Sequence, residues 1–320
     1  MTNILIKEHK NKQTKQIKNK YPCFTIFIVP AYSFLNEAGK GAYALPEYVL
    51  ELKNITKEFP GVKALDKVQF NLKPGEIHAL MGENGAGKST FIKIITGVHC
   101  QDEGEIYLNG QKVDMKGPND AKKMGIAAIY QHVTCYPDLS VTENIFMGHE
   151  KIKRFTKRIL WDEMHSEARK LLNDLGADID PRTQMGALSV AQQQLVEIAK
   201  ALSINAKIII MDEPTAALTK KESEELYRVT EQLRDNGVSI IFISHRLEDM
   251  FRLADRVSVL RDGKYIGTWN VKDISREDLI VAMVGREITQ LFPKKEAKIG
   301  GELLRVEGLC KTGYFTDITF

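Results

Sequence analysis

The stretch Gly82-Glu83-Asn84-Gly85-Ala86-Gly87-Lys88-Ser89 decides how this chain folds. It fits G-x-x-x-x-G-K-[ST], a pattern that needs a strand before it and a helix after it. Both neighbours are legible. Glu76–Gly82 reads EIHALMG, a short buried strand, and Ser89–Ile95 reads STFIKII, which continues as a helix. Glycines let backbone N–H groups curl around phosphate oxygens, and the helix N-terminus adds the positive end of its dipole. Lys88 is expected to reach β- and γ-phosphates, and Ser89 to offer its hydroxyl to Mg²⁺.

Outward from this loop, short strands alternate with helices. Val49–Ile55 and Lys67–Leu72 alternate like strands packed on one face, while 125–130, 207–211 and 239–244 are continuous apolar runs, expected to be strands covered on both faces. Amphipathic helices are predicted over Trp161–Leu175, Val190–Leu202 and Lys220–Asn236. A hairpin is expected over Val257–Trp269, turning at Asp262-Gly263. The interleaving predicts an α/β fold with a mainly parallel sheet.

The ends differ in texture. Residues 1–45 run from a basic stretch through CFTIFIVPAYSFL to Ala42-Tyr43-Ala44, the outline of a secretory signal, with poor periodicity and little order expected. No apolar run reaches the ~18 residues that span a bilayer. Residues 46–285 form the α/β unit and 286–302 read as a linker. Residues 303–320 open an internal repeat: Leu304–Leu309 echoes Leu50–Ile55, and Asp317–Phe320 echoes Lys67–Phe70.

Composition narrows the function classes. Of 320 residues, 45 are Lys or Arg and 42 Asp or Glu; a net charge of +3 is too even for a protein whose main partner is nucleic acid. Cys23, Cys100, Cys135 and Cys310 lack metal or disulfide spacing and are expected to be reduced.

A second group of residues carries chemistry. Ile208–Glu213 ends a buried strand in two carboxylates, at the edge where open α/β sheets bind ligands. Asp212 is placed to hold Mg²⁺ and Glu213 to orient or deprotonate an attacking water. Gln131 and His245 each end an apolar strand. A lone histidine there is more often structural, and a lone glutamine says little. Leu188–Gln194 opens a helix with Ser189 as a natural N-cap, which by itself means only a capped amphipathic helix.

In this order and spacing, the residues resemble the ATP-binding cassette ATPases of membrane transporters. The resemblance covers Tyr48–Gly285 and rests on the phosphate loop, Gln131, LSVAQQQ, IIIMDE and His245 in ISHR. YPDLSVTENIFMG, MDEPTAALT and MVGRE look most like two-cassette importers of ribose, galactose and xylose. The resemblance implies a P-loop NTPase cassette with a mainly parallel central sheet, an antiparallel β subdomain and a helical signature subdomain. It places ATP on Gly82, Glu83, Asn84, Gly85, Ala86, Gly87, Lys88, Ser89 and Thr90. Phe59 would stack on adenine, and Ser189 would bind the γ-phosphate held by an opposite cassette. It adds Gln131 to Ser89 and Asp212 as Mg²⁺ ligands, and names Glu213, His245, Gln131 and Lys88 as catalytic. Val190 and Ala191 stand where glycines are usual, and Thr219 where an aspartate is common.

The implied function is the ATP-hydrolysing subunit of a monosaccharide importer at the cytoplasmic face of the membrane. Its partners would be an integral-membrane permease, a periplasmic or lipid-anchored sugar-binding protein, and a second cassette or second copy. Export would separate such a site from ATP, so 1–45 is expected to be an extension without a functional role, and 303–320 the truncated start of a second cassette. The alternatives are a soluble ATPase outside transport, disfavoured because 286–302 is short and mixed in charge, and a nucleotide-binding module without efficient hydrolysis.

Overall fold

The computed structural model describes residues 46–131, 134–153, 155–285 and 300–320. The expectations for 1–45 and for most of the linker lie outside these residues. The α/β unit, apart from residues 132, 133 and 154, and the repeat at 303–320 lie inside them.

Ten strands form one sheet: β1 (Leu50–Phe59), β2 (Val62–Leu72), β3 (Ile77–Met81), β4 (Glu103–Leu108), β5 (Gln111–Val113), β6 (Ile126–Ile129), β7 (Ile208–Asp212), β8 (Ser239–Ile243), β9 (Arg256–Arg261) and β10 (Lys264–Asn270). Their order is β5-β4-β1-β2-β10-β9-β3-β8-β7-β6. The half β9-β3-β8-β7-β6 is parallel, and β5-β4-β1-β2 is an antiparallel layer joined to it through β10. The fold is thus α/β, with a mainly parallel central sheet and an antiparallel β subdomain, the architecture the resemblance implies.

The continuous apolar runs follow from covering on both faces. Along β7, Ile209 and Met211 join one core while Ile208 and Ile210 join the other; along β8, Ile240 and Phe242 divide from Ile241 and Ile243 in the same way. A strand buried on both sides has no polar face to alternate with. One face is covered by α1 (Lys88–Ile95) through Phe91, Ile92 and Ile95. The other is covered by α5 (Val190–Ser203) and α6 (Lys220–Asp235) through Val196, Ile198, Leu226 and Val229. Two further helices, α3 (Val141–Phe146) and α4 (Trp161–Asp174), pack with α5 into a helical subdomain on that side.

The helices predicted over 161–175, 190–202 and 220–236 match α4, α5 and α6 to within one residue at each end. The alternation in sequence ends β1 at Ile55 and begins β2 at Lys67. The strands instead continue to Phe59 and from Val62, through irregular register at Leu52/Ile55 and Ile55/Lys57 that breaks the alternation. The sequence pattern does not single out the β4–β5 hairpin, α2 (Pro118–Lys123), α3, α7 (Leu247–Leu253) or α8 (Arg276–Val284), all of them short elements.

The repeat at 303–320 is also visible as geometry. β11 (Leu309–Lys311) pairs antiparallel with β12 (Phe315–Ile318), joining Leu309 to Ile318 and Lys311 to Phe315. At the echoed positions β1 and β2 join Ile55 to Val68 and Lys57 to Leu65. Val306 and Phe320 exchange backbone hydrogen bonds at 2.8 and 2.9 Å, matching the pair Leu52 and Phe70. Even the left-handed backbone recurs: Gly308 and Asp317 have φ 61° and 57°, against 52° and 49° at Asn54 and Lys67.

Candidate active site

The glycine-rich loop leaves the carboxyl end of β3 and runs into α1. Gly87, the N-cap of α1, has φ 101°, a left-handed conformation open to glycine at no steric cost. A Cβ there would stand 2.7 Å from the Ala64 carbonyl oxygen and from Leu65 Cδ2, so the loop is pressed against β2. Lys88 lies inside it, its ammonium donating to the carbonyls of Gly82 at 2.7 Å and Glu83 at 3.0 Å. Burial pushes the Lys88 ammonium below the ordinary lysine range, while the carboxylates of Glu213 and Asp212 pull it back.

Sheet register brings the other residues to this loop. β8 lies beside β3, β7 beside β8 and β6 beside β7, all parallel, so their carboxyl ends form one edge. Asp212 is the last residue of β7, opposite Ile243 of β8. Burial raises its carboxyl pKa, the neighbouring Glu213 adds to the rise, and Lys88 opposes it. Glu213 adopts φ 48°, which costs a non-glycine residue about 1–2 kcal/mol. This turns the carboxylate out of the strand while its N–H still donates to the Ile243 carbonyl at 2.8 Å.

Glu213 is held from both sides. Gln131 Nε2 donates to Oε2 at 2.9 Å, and His245 Nδ1 lies 2.9 Å from Oε1. Gln131 and His245, each a single residue at a strand end in the sequence, thus meet on one carboxylate. A cleft of about 510 Å³ opens over this group, lined by Asn84, Gly85, Gly87, Lys88, Ser89, Thr90, Gln131, Asp212 and Glu213. Val62, Lys63, Ala64, Asp262 and Gly263 complete its wall. The sequence reading missed these five. Asp262-Gly263 was legible only as a hairpin turn, and nothing local marks a turn as facing a cleft.

Six predicted residues stand outside this lining: Gly82 and Ala86, buried within the loop, His245, which reaches the site through Glu213, and Glu83, Phe59 and Ser189. Glu83 is exposed on the loop. Phe59, at the end of β1, is paired across the hairpin with Val62 of the cleft wall; its ring meets His99 edge-on at 5.4 Å. Ser189 caps α5, its hydroxyl accepting from Gln192 N–H at 3.3 Å while its own N–H donates to Gln192 Oε1 at 3.0 Å. Thr219 caps α6 in the same reciprocal manner with Glu222, which gives the threonine a local reason to stand where aspartate is common.

The donors facing the cleft fit Mg²⁺. Ser89, Gln131 and Asp212 supply a hydroxyl, an amide oxygen and one carboxylate, the sparse hard-oxygen set that suits Mg²⁺ shared with phosphate oxygens and waters. Among the described residues no cluster of three or more His, Cys, Asp or Glu is present.

Residues 65–216 match the family described as ABC transporter. A protein of Burkholderia cenocepacia, provisionally named a ribose/galactose/methyl galactoside import ATP-binding protein, is 48% identical over 291 residues, 91% of this chain and 55% of its own. A similarly named protein of Agrobacterium fabrum is 49% identical over 280 residues, 88% of this chain and 54% of its own. A ribose import ATP-binding protein of Geobacillus kaustophilus is 48% identical over 273 residues, 85% and 55% of the two chains. The chain therefore spans about half the length of the curated relatives it matches. Among solved structures, a nucleotide-free ATP-binding cassette from an ABC transporter superposes with a TM-score of 0.64 at 28% identity, covering 75% of this chain and 96% of that one. A dimeric bacterial ABC transporter cassette gives 0.60 at 28%, covering 70% and 100%.

Proposed function

This chain belongs to the ABC transporter family, and on that premise we propose that it is the ATP-hydrolysing subunit of a monosaccharide importer. The observation that carries the reading is the placement of Glu213: one carboxylate, bracketed by Gln131 and His245, at the edge of a cleft whose floor is a phosphate-binding loop. A site built only to bind nucleotide has no need of a base there.

In this reading the loop N–H groups and Lys88 hold the phosphates of ATP, and Phe59 stacks on adenine beside Val62. Mg²⁺, bound by Ser89, Gln131 and Asp212, supplies neutralisation of phosphate charge. Glu213 orients the attacking water and accepts its proton, worth about 10²–10⁴ in rate for a positioned base. His245 offers its second ring nitrogen to the γ-phosphate. Ser189 and the amino end of α5 meet the γ-phosphate of ATP held by a second cassette or second copy of this chain, which makes the site composite.

Coupling to a membrane partner has a physical route. Beside Thr134, three residues after Gln131, a groove is walled by Val98, Ala121, Ala128, Met147, Ala201 and Ile204. A helix of an integral-membrane permease seated there would move Gln131, and Gln131 holds Glu213. Among the described residues no helix is long and apolar enough to cross a membrane. In this reading the permease carries the sugar and this chain sits at its cytoplasmic face. A sugar-binding protein would contribute indirectly. The matching register at 303–320 supports reading 46–285 as one cassette and 303–320 as the opening strands of another.

Mg²⁺-dependent phosphate release by the purified chain, together with uptake of labelled ribose, galactose or xylose by cells carrying it with its permease, tests the reading. Hydrolysis without any dependence of uptake on this chain would leave an ATPase outside transport.

A further inference from the structure

Glu213 and His245 face each other from two loops that have already left the sheet. The last paired positions of β7 and β8 are Asp212 and Ile243. Beyond the Glu213 N–H bond to Ile243, nothing in the strand ladder fixes how far the two loops stand apart. Their own side-chain bond lies at the cleft, where His245 is half-exposed and water competes for it.

Behind that pair sits a carboxylate that the mechanism above does not use. Asp249, in the first turn of α7, is 1% exposed. Its Oδ2 accepts from the hydroxyl of Thr215, two residues after Glu213, and from the hydroxyl of Ser244, next to His245, at 3.1 Å. Its Oδ1 accepts from the Tyr227 hydroxyl of α6 at 2.5 Å. Arg246 closes the group: its N–H donates to Ser244 Oγ at 2.9 Å, and its guanidinium lies 3.8 Å from Asp249 Oδ1 and 3.4 Å from the Thr215 carbonyl. Thr215 and Ser244 are as buried as Asp249. A buried carboxylate is tolerated only when its lone pairs are satisfied, and here two of the donors belong to the two loops in question.

We propose that Asp249 is a positioning residue for hydrolysis: one buried oxygen ties the loop after β7 to the loop after β8, and so sets the separation of Glu213 and His245. The inference rests on the reading that these two residues act on ATP. It assigns a different duty to the two oxygens of one carboxylate. Oδ2 holds the loops, whereas Oδ1 secures Asp249 to α6.

That asymmetry gives the test. Steady-state hydrolysis of Mg-ATP by the full chain is compared for wild type, Glu213→Gln, Asp249→Ala, Asp249→Asn, Thr215→Val and Tyr227→Phe, with a thermal midpoint for each. Asp249→Ala and Thr215→Val are expected to lower kcat at least fivefold with KM within threefold of wild type. Tyr227→Phe is expected to leave kcat within twofold, although it also removes a bond to the same carboxylate. Asp249→Asn is expected to return kcat to within threefold of wild type, because an amide oxygen can accept from Thr215 and Ser244 while the Tyr227 hydroxyl turns to accept from the amide N–H. If Asp249→Ala does not fold, Thr215→Val against Tyr227→Phe decides. Equal effects of those two, in step with their thermal midpoints or both within twofold of wild type, overturn the positioning role and leave the function standing. Equal rates for wild type and Glu213→Gln overturn the function, and the positioning role with it.

Discussion

His245 Nδ1 lies 2.9 Å from Glu213 Oε1, so the two catalytic candidates are joined across neighbouring loops. A neutral imidazole has one donor and one acceptor. If Nδ1 donates to Glu213, Nε2 can donate to a phosphate oxygen only from the doubly protonated ring. The pair therefore couples proton position to phosphate contact. Replacing His245 by Asn, which cannot donate in both directions at that span, is expected to reduce kcat at least tenfold with little change in ATP affinity, as read by hydrolysis and equilibrium binding.

In the proposed site Lys88 would carry the phosphate contact that the loop backbone cannot supply alone. Its ammonium already sits among loop carbonyls, so Lys88→Ala removes a buried charge as well as a ligand contact. A loss of at least tenfold in Mg-ATP affinity is expected, about 1.4 kcal/mol or more. Titration with a fluorescent ATP analogue checks it, and unchanged affinity would remove Lys88 from the site.

Two glycines of the same loop separate crowding from backbone strain. At Gly87 an added Cβ meets Ala64 and Leu65 at 2.7 Å; at Gly85, φ 85°, nothing lies within 4 Å. Gly85→Ala is expected to cost about 1–2 kcal/mol of stability, the left-handed penalty alone. Gly87→Ala adds overpacking of about 1–3 kcal/mol and moves the loop. Urea unfolding of both variants tests the ordering.

How much of this was legible from sequence follows from where each residue gets its constraint. Lys88, Ser89, Asp212 and Glu213 are constrained locally, by a strand, a turn and a helix, and the sequence carries all three. Gln131 and His245 are single letters at strand ends; only parallel register brings them to Glu213, and register is a property of the sheet. Asp249 left no signal, because an aspartate in the first turn of a helix is ordinary by sequence. Its burial, and the three hydroxyls around it, come from α6, β7 and β8 meeting there. The hairpin β1–β2 was read short because its irregular register interrupts the period of two.

Acid should weaken the fold through one histidine. His78 is buried in β3, bonded through Nε2 to Ser258 Oγ at 2.8 Å. Burial, with Arg256 adding to it, pushes its pKa down from 6.5 to about 3. The unfolded chain therefore binds a proton that the folded chain refuses between pH 6.5 and about 3. The contribution of neutral His78 is complete above that window and is lost as pH falls through it, by about 1.4 kcal/mol per pH unit. Urea unfolding at pH 7.5 and 5.5 is expected to show about that loss in wild type beyond any seen in His78→Leu. Equal losses in the two would place the acid sensitivity elsewhere.

The central claim is that Glu213 is the hydrolytic base of an ATP site. The most direct measurement is phosphate release from Mg-ATP by wild type and Glu213→Gln, with ATP affinity determined for each. A fall in kcat of about 10²–10³, with affinity within threefold, is the predicted result. Release by Glu213→Gln within twofold of wild type would contradict it.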